Sequence, residues 1–162
     1  MSPDLFGGAN VSLFSSFAKS MTVKCPKYYD VIADNEQEMT PYRVNKLAHK
    51  VLPERTRQMY LLLSSKVKIK NAKGEIVEDP FRYKRVAIKN NRTNWGSCST
   101  LRNINLNMYL VLLPTELMDY VIAHELCHLV YPNHSERFHA LLNAVTDGKE
   151  RFLAARLNRY RL

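Results

Sequence analysis

Three histidines and a glutamate in the stretch HELCHLVYPNHSERF form the strongest chemical pattern in this chain. His124 and His128 stand four residues apart, which places them one turn apart on the same face of an α-helix. Two imidazoles at that spacing can reach one ion at about 2.0–2.1 Å. Glu125 flanks the same face, and this H-E-x-x-H arrangement is typical of a zinc site at which the glutamate handles protons.

A catalytic zinc site usually has three protein ligands, so the pattern requires a third. His134 follows His128 by six residues, which is the ligand spacing of the pattern H-E-x-x-H-x-x-G-x-x-H, although Tyr131 stands at its glycine position. A glutamate ligand from a following helix is the other known arrangement, and Glu136 is the nearest candidate. It lies too close in sequence, however, to swing back to the ion. We therefore predict one zinc per chain, with His134 as the third ligand beside His124 and His128.

The three cysteines, Cys25, Cys98 and Cys127, are odd in number and widely spread. This distribution favours reduced thiols in a cytoplasmic protein over a disulfide framework. Cys127 lies inside the metal motif, but its direction on the helix is off the two-histidine face, so we predict a small buried residue. The first 20 residues lack the pattern of a secretory signal, and no apolar run approaches 18 residues, so we expect no membrane association.

The helix that must carry the motif has clear boundaries in the sequence. Pro114 and Glu116 are suited to its first turn, and Pro132 ends it at or before Tyr131. Apolar residues cover nearly all of its circumference, which predicts a buried helix.

Patterns before the motif predict two short helices and a small sheet. The helical patterns lie between residues 41 and 63, and Pro53 opens the second of them. Residues 66–70 alternate and precede the turn signal of residues 71–74, which predicts a β-hairpin. The further strand candidates are residues 83–89 and 103–108.

Two helices are predicted after the motif. Ser135 caps the first, which Asp147 and Gly148 end. The second runs from Lys149 to the end of the sequence, and its inward-facing residues are predicted to be Phe152, Leu153, Leu157 and Tyr160. The fold class is therefore α+β: a compact domain over residues 41–162 with a small, mostly antiparallel sheet packed on helices, preceded by a weakly patterned segment over residues 1–40.

The formal net charge of +9 is concentrated in the middle of the chain. Residues 41–90 carry 13 basic and four acidic side chains. Such a segment could face nucleic acid or a polyphosphate. The lack of interleaved aromatic residues favours solvated helix and strand surfaces instead.

The stretch NRTNWGSCST, residues 91–100, contains the only tryptophan of the chain. A strand here could pair with an extended substrate and present it to the ion; the alternative is a tight loop whose Trp95 fills the core. We predict that residues 95–107 lie beside the metal helix, within about two strand spacings or roughly 10 Å. The candidate substrate-binding residues are Trp95, Gly96, Ser97, Asn103 and Asn105.

Several motifs in order resemble one family. WGSCS, NINLN, YVIAHELCHL and NHSERF together resemble the YgjP-like family of metal-dependent hydrolases, which is similar to the WLM and SprT-like zinc proteases. The resemblance is strong from about Tyr83 to Leu142, extends back to Pro41 and is absent over the first 40 residues. Two positions depart from the family pattern: Asn94 replaces a basic residue before Trp95, and His139 replaces a tryptophan.

The resemblance implies a zincin-like fold with zinc on His124, His128 and His134 and with Glu125 as the catalytic carboxylate. In such a site zinc lowers the pKa of its bound water, and the glutamate accepts a proton as the water attacks. Tyr131 or Asn133 could stabilise the oxyanion. Three functions stay open: a metallopeptidase acting on peptides or unfolded proteins, a nucleoside triphosphate (UTP-type) pyrophosphatase, and a non-catalytic zinc-stabilised binding module, which an intact Glu125 disfavours.

Overall fold

The computed structural model of the chain describes residues 40–160 and residue 162. In this part of the chain the predicted α+β class is confirmed, because four α-helices surround a three-stranded sheet. The predicted N-terminal segment, apart from its last residue, and Cys25 lie outside the described residues. The elements in chain order are α1 (Pro41–Lys66), β1 (Arg85–Lys89), β2 (Gly96–Cys98), β3 (Asn103–Asn107), a 3-10 helix (Met108–Leu112), α2 (Thr115–His128), α3 (Glu136–Val145) and α4 (Glu150–Leu157).

One continuous helix, α1, replaces the two short helices predicted between residues 41 and 63. It begins after Thr40, whose side-chain oxygen accepts a hydrogen bond from the backbone N–H of Arg43. Pro53 lies inside the helix, where it lacks the N–H that would bond to the preceding turn. The helix continues past Pro53 because the buried residues before and after it lie on one face and pack together in the core. Its apolar members are Val44, Ala48, Leu52, Met59 and Leu63.

The sheet has the strand order β1-β3-β2. β2 pairs with β3 in antiparallel fashion, with Ser97 opposite Asn105. β1 pairs with β3 in parallel, with Arg85 opposite Asn103. The sheet is therefore mixed, which corrects the expectation of a mostly antiparallel one. The reason is that β2 and β3 form a hairpin whose second strand lies next to β1 and runs in the same direction.

The hairpin predicted over residues 66–74 is reduced to a turn. The N–H of Gly74 donates to the carbonyl of Asn71 over 2.9 Å, and a single bridge joins Lys70 and Ile76. The alternating apolar residues of this segment, Val67 and Ile69, are buried in the core instead of extending a ladder.

α2 lies at the centre of the domain and contacts α1, β2, β3, α3 and α4. α3 begins as predicted after Ser135, whose hydroxyl accepts a hydrogen bond from the N–H of Phe138. It ends before Asp147 and Gly148, which both have left-handed backbone angles.

Leu153 of α4 is buried, as predicted. Phe152 and Tyr160 were predicted to face inward, and this prediction is wrong, because both are exposed. Among the described helices, none has the length and apolar character that crossing a membrane requires.

Candidate metal centre

The three predicted histidine ligands converge on one point. The Nε2 atom of His128 lies 3.2 Å from that of His124 and 3.1 Å from that of His134, and the third side of the triangle measures 3.2 Å. Three nitrogens bound tetrahedrally to one zinc at 2.0–2.1 Å are separated by about 3.3–3.4 Å. The triangle therefore has nearly the size that one ion requires, and its members form a cluster of metal-ligating atoms within 4.8 Å of one another.

The turn after α2 brings His134 back to the two helical histidines. The carbonyl of Cys127 accepts hydrogen bonds from the N–H groups of Val130 and Tyr131, at 3.0 and 2.9 Å. The carbonyl of Tyr131 in turn lies 3.1 Å from Nδ1 of His128. Because this carbonyl can only accept, it fixes the proton on Nδ1 and leaves the Nε2 lone pair free for a metal. The turn is thus closed without a glycine at position 131.

The ring of Phe138 in α3 packs against all three histidine rings. It is fully buried, and its ring centroid lies 4.4–5.0 Å from the centroids of His124, His128 and His134. This contact docks the start of α3 against the end of α2. Glu136, the alternative ligand, is exposed in the first turn of α3 and lies outside the histidine cluster.

The surroundings of the cluster favour neutral imidazoles. Burial, together with the neighbouring histidines, lowers the pKa of His124 to about 4. Burial also lowers the pKa of His128. Neutral imidazole is the form that binds metals, so the protein keeps these side chains in the ligand state at physiological pH.

Glu125 is a buried carboxylate without a hydrogen-bond donor among the described residues. Its side chain is 5% exposed, and this burial raises its pKa to about 8. Gly96 of β2 lies directly against it: a Cβ added to Gly96 would stand 3.0 Å from both Cγ and Oε1 of Glu125. A glycine at this position therefore allows β2 to pack on the carboxylate.

The structure brings only part of the predicted substrate-binding set to the metal centre. β2 and β3 both lie within 8 Å of α2 between Cα atoms, which confirms their predicted place beside the metal helix. Gly96 faces Glu125, so Ser97 points to the opposite face of the sheet, where its hydroxyl accepts a hydrogen bond from the amide of Asn105. Asn103 lies on that opposite face too.

Trp95 satisfies parts of both earlier interpretations. Its side chain is half-buried and packs against the core, while its carbonyl accepts a hydrogen bond from the N–H of Asn107, which extends the β2–β3 ladder. The amide of buried Asn107 also donates to the carbonyls of Asn91 and Asn94 and so holds the preceding loop in place. Of the two oxyanion candidates, Tyr131 is half-buried and Asn133 is exposed. Cys127 is buried and outside the cluster, as predicted.

Sequence reasoning missed two contacts near the centre. His139 is exposed, yet its ring lies beside that of His134, with centroids 6.1 Å apart, and its Nδ1 contacts the carboxylate of Glu150. Nearer the start of α2, buried Asp119 forms a bidentate ion pair with Arg55. A signal for the second was present, since an acid inside an otherwise apolar helix requires a partner.

Comparison with models of protein families matches residues 15–160 to one family, whose description is "YgjP-like, metallopeptidase domain". The match begins well before residue 41, where the resemblance of the sequence motifs stopped. No curated protein and no solved structure matches the chain significantly.

Proposed function

Because the chain belongs to the YgjP-like family of metallopeptidase domains, we propose that it is a zinc-dependent peptidase with Glu125 as its general base. The observation that carries this proposal is a buried carboxylate with no hydrogen-bond donor among the described residues, on the residue that directly follows His124 of the three convergent histidines. A site that only binds metal for stability has no need of such a carboxylate. The family assignment favours a peptide or protein as substrate over a nucleotide.

The proposed zinc ligands are the Nε2 atoms of His124, His128 and His134. Three imidazoles would hold the ion and leave a further position for water or substrate, as in catalytic zinc sites. A zinc ion bound there supplies a Lewis acid and lowers the pKa of nearby water to about 7.

Glu125 moves the proton in the proposed reaction. Its raised pKa, about 8 without a metal, gives the carboxylate a higher proton affinity than an exposed glutamate has. A bound cation would lower this value toward neutrality, where a general base is most effective. Glu125 accepts the proton of the attacking water and later delivers it to the nitrogen of the leaving group.

The edge of the sheet provides a way to hold the peptide. The residues that flank β2 bond to β3: the carbonyl of Trp95 accepts from the N–H of Asn107, and the N–H of Ser99 donates to the carbonyl of Asn103. In an antiparallel ladder the intervening residues direct their N–H and C=O groups away from the partner strand. Gly96 and Cys98 therefore present theirs at the edge of the described sheet, next to Glu125. An extended peptide added to this edge would run past the metal centre.

The proposed base can be tested with Glu125→Gln. This variant keeps the shape of the side chain but cannot accept a proton, so turnover of unfolded protein and peptide substrates should fall by at least about 100-fold. Zinc content and melting temperature should stay close to those of the parent. Glu136→Gln, which changes an exposed glutamate outside the cluster, is the matched control. Intact turnover in Glu125→Gln with zinc bound would refute the mechanism, and turnover of nucleoside triphosphates alone would refute the substrate class.

The proposed ligand set predicts that His134→Ala lowers zinc content from about one ion per chain to a small fraction of that value. The reason is that two imidazoles on one helix hold zinc far more weakly than three. Elemental analysis after dialysis measures this loss. His49→Ala, which changes an exposed histidine of α1, should retain its zinc. Parental zinc content in His134→Ala would point to Glu136 or His139 as the third ligand.

A further inference from the structure

A groove of about 710 Å³ opens beside the loop that joins His128 to His134. Residues 129–131 of that loop form one wall. Most of the remaining lining comes from residues 69–72 and 77–80, in the segment that follows α1. This volume lies within the range of about 300–1,000 Å³ that is usual for ligand pockets. Since the carbonyl of Tyr131 bonds to His128, the groove borders directly on the proposed metal site.

The groove carries an excess of positive charge. Among the described residues that line it, four side chains are cationic and two, Glu78 and Asp79, carry carboxylates. Asp79 is engaged elsewhere, because it accepts a hydrogen bond from the hydroxyl of Tyr60 at 2.8 Å. Of the cationic side chains, three are exposed and form no ion pair among the described residues: Lys70, Arg82 and Arg137.

The fourth cation, Arg102, holds the groove together. It lies in the turn between β2 and β3 with a left-handed φ of 62°. Its guanidinium donates to the carbonyls of Arg82 and Pro80 at 2.7 and 2.9 Å, and to that of Leu129 at 3.4 Å. These hydrogen bonds connect the segment of residues 80–82 to the loop that follows α2. They engage three of its N–H groups but do not neutralise its charge, so a half-buried cation remains in the lining of the groove.

We propose that this groove binds acidic side chains of the peptide substrate, on the side of the scissile bond that runs past Tyr131. The proposal rests on the proposed peptidase function, and it makes acidic segments the preferred substrate class. The three exposed cations supply the charge complementarity. The apolar surface of Val77, Leu129 and Val130 fits the mixed side chains of a peptide.

The same walls suit a nucleic acid poorly. Among the described residues that line the groove, Tyr131 alone is aromatic, whereas single-stranded nucleic acids bind to successive aromatic platforms along a basic track.

The test compares two fluorescent peptides that differ only by three Asp→Asn changes on one side of the cleavage site. Binding is measured by anisotropy on zinc-loaded Glu125→Gln protein, so that cleavage does not interfere. Removing two exposed charges with Arg82→Gln and Arg137→Gln should weaken binding of the Asp peptide by about fourfold to twenty-fivefold, since each exposed pair contributes about two- to fivefold and the two effects multiply. Binding of the Asn peptide should not change. Rising salt concentration should reduce the difference between the peptides.

The matched control removes the same number of charges at positions that do not line the groove, with Lys50→Gln and Arg159→Gln, both of which are exposed. Equal binding of the two peptides, or equal effects of the groove and control variants, would overturn the proposal. So would a single-stranded oligonucleotide that binds more tightly than the Asp peptide and depends on Arg82 and Arg137. Melting temperatures verify that the variants are folded, and Lys70→Gln provides a third exposed position.

The two proposals fail in different ways. Charge-dependent binding of the Asp peptide without any cleavage by the unsubstituted protein would sink the peptidase function and leave the groove assignment standing. Cleavage of both peptides with the same kcat/KM and the same affinity would sink the groove assignment alone.

Discussion

The two halves of α2 each bury one acidic side chain, and the two acids differ in what surrounds them. Asp119 is completely buried, and each of its carboxylate oxygens lies 2.6 Å from a nitrogen of the Arg55 guanidinium. Glu125 is buried almost as deeply but faces the backbone of Gly96 and has no donor among the described residues. Burial is therefore common to both acids, and the partner distinguishes a structural carboxylate from one that is free to exchange a proton.

The Asp119–Arg55 pair joins the two longest helices of the described chain. Bringing both charges out of water is costly, and the net stabilisation by such a pair is small compared with a well-packed apolar pair. Once the pair exists, however, neither partner can be removed alone without leaving an uncompensated buried charge. The arrangement fixes how α1 and α2 pack, and it leaves the other end of α2 to hold the metal centre.

The largest predicted effect follows from breaking this pair on one side. Arg55→Met leaves Asp119 buried and unpaired, so the free energy of unfolding should fall by about 3–5 kcal/mol. Urea denaturation of the zinc-loaded protein measures this loss. Combining it with Asp119→Leu should recover most of the stability, because the buried charge is then absent.

The control for this prediction is Arg57→Met, which breaks the exposed ion pair between Arg57 and Glu54. Exposed pairs within one helix are screened by water and contribute little to the free energy of unfolding, so this variant should be nearly as stable as the parent. If Arg55→Met were as mild as this control, the buried pair could not be what fixes α1 against α2.

A smaller effect is expected from the unpaired acid, as a pH dependence of stability in the metal-free protein. Burial raises the pKa of Glu125 from 4.5 to about 8 in the folded state, so the folded protein retains a proton that the unfolded chain releases as pH rises through this window. Stability must therefore fall with rising pH. Burial lowers the pKa of His124 from 6.5 to about 4, which has the opposite sign but acts only below pH 6.5.

Between pH 6.5 and 8 the shift of Glu125 consequently acts without opposition from His124. The free energy of unfolding of the chelator-treated protein should decline by about 2 kcal/mol over this interval, at 1.36 kcal/mol per pH unit. Urea titrations at the two pH values measure it. Glu125→Gln should abolish the decline, and Glu136→Gln should preserve it. A decline of equal size in Glu125→Gln would assign it to a different group.

The contrast between the two acids also shows which features can be predicted from sequence. The histidine triangle was predictable because its members lie within eleven residues, and helix periodicity places two of them on one face. The cap at Ser135 and the ending at Asp147 and Gly148 are equally local. Each of these features depends on the backbone of a single short segment.

The partners of the two acids were not predictable, because they come from distant segments. Arg55 lies 64 residues before Asp119, and nothing in the local sequence of α1 distinguishes it from the neighbouring exposed Arg57. Gly96 was expected to contact substrate, but its approach to Glu125 depends on how β2 packs against α2. The parallel pairing of β1 with β3 is a tertiary feature of the same kind, and so is the passage of α1 through Pro53.

The smallest predicted effect on stability, with a distinct effect on turnover, comes from Gly96→Ala. The added methyl group would stand 3.0 Å from Cγ and Oε1 of Glu125, a distance that the flexible end of the glutamate can relieve by moving. The free energy of unfolding should therefore fall by no more than about 1 kcal/mol. The displaced carboxylate is no longer placed to accept the proton of the attacking water, so kcat should fall by about tenfold or more, as small misplacements of catalytic groups do.

Gly74→Ala is the matched control for this glycine. A Cβ at Gly74 meets no atom within 4 Å, but the residue has a φ of 79°, so alanine there costs about 1 kcal/mol of stability through backbone strain. Its kcat on a peptide without acidic side chains should equal that of the parent, because Gly74 is not among the described residues that line the groove and no described contact joins it to Glu125. Loss of kcat in Gly96→Ala with full kcat in Gly74→Ala, at similar melting temperatures, would separate displacement of the carboxylate from general destabilisation. Equal kcat in both variants would show that β2 does not set the position of Glu125.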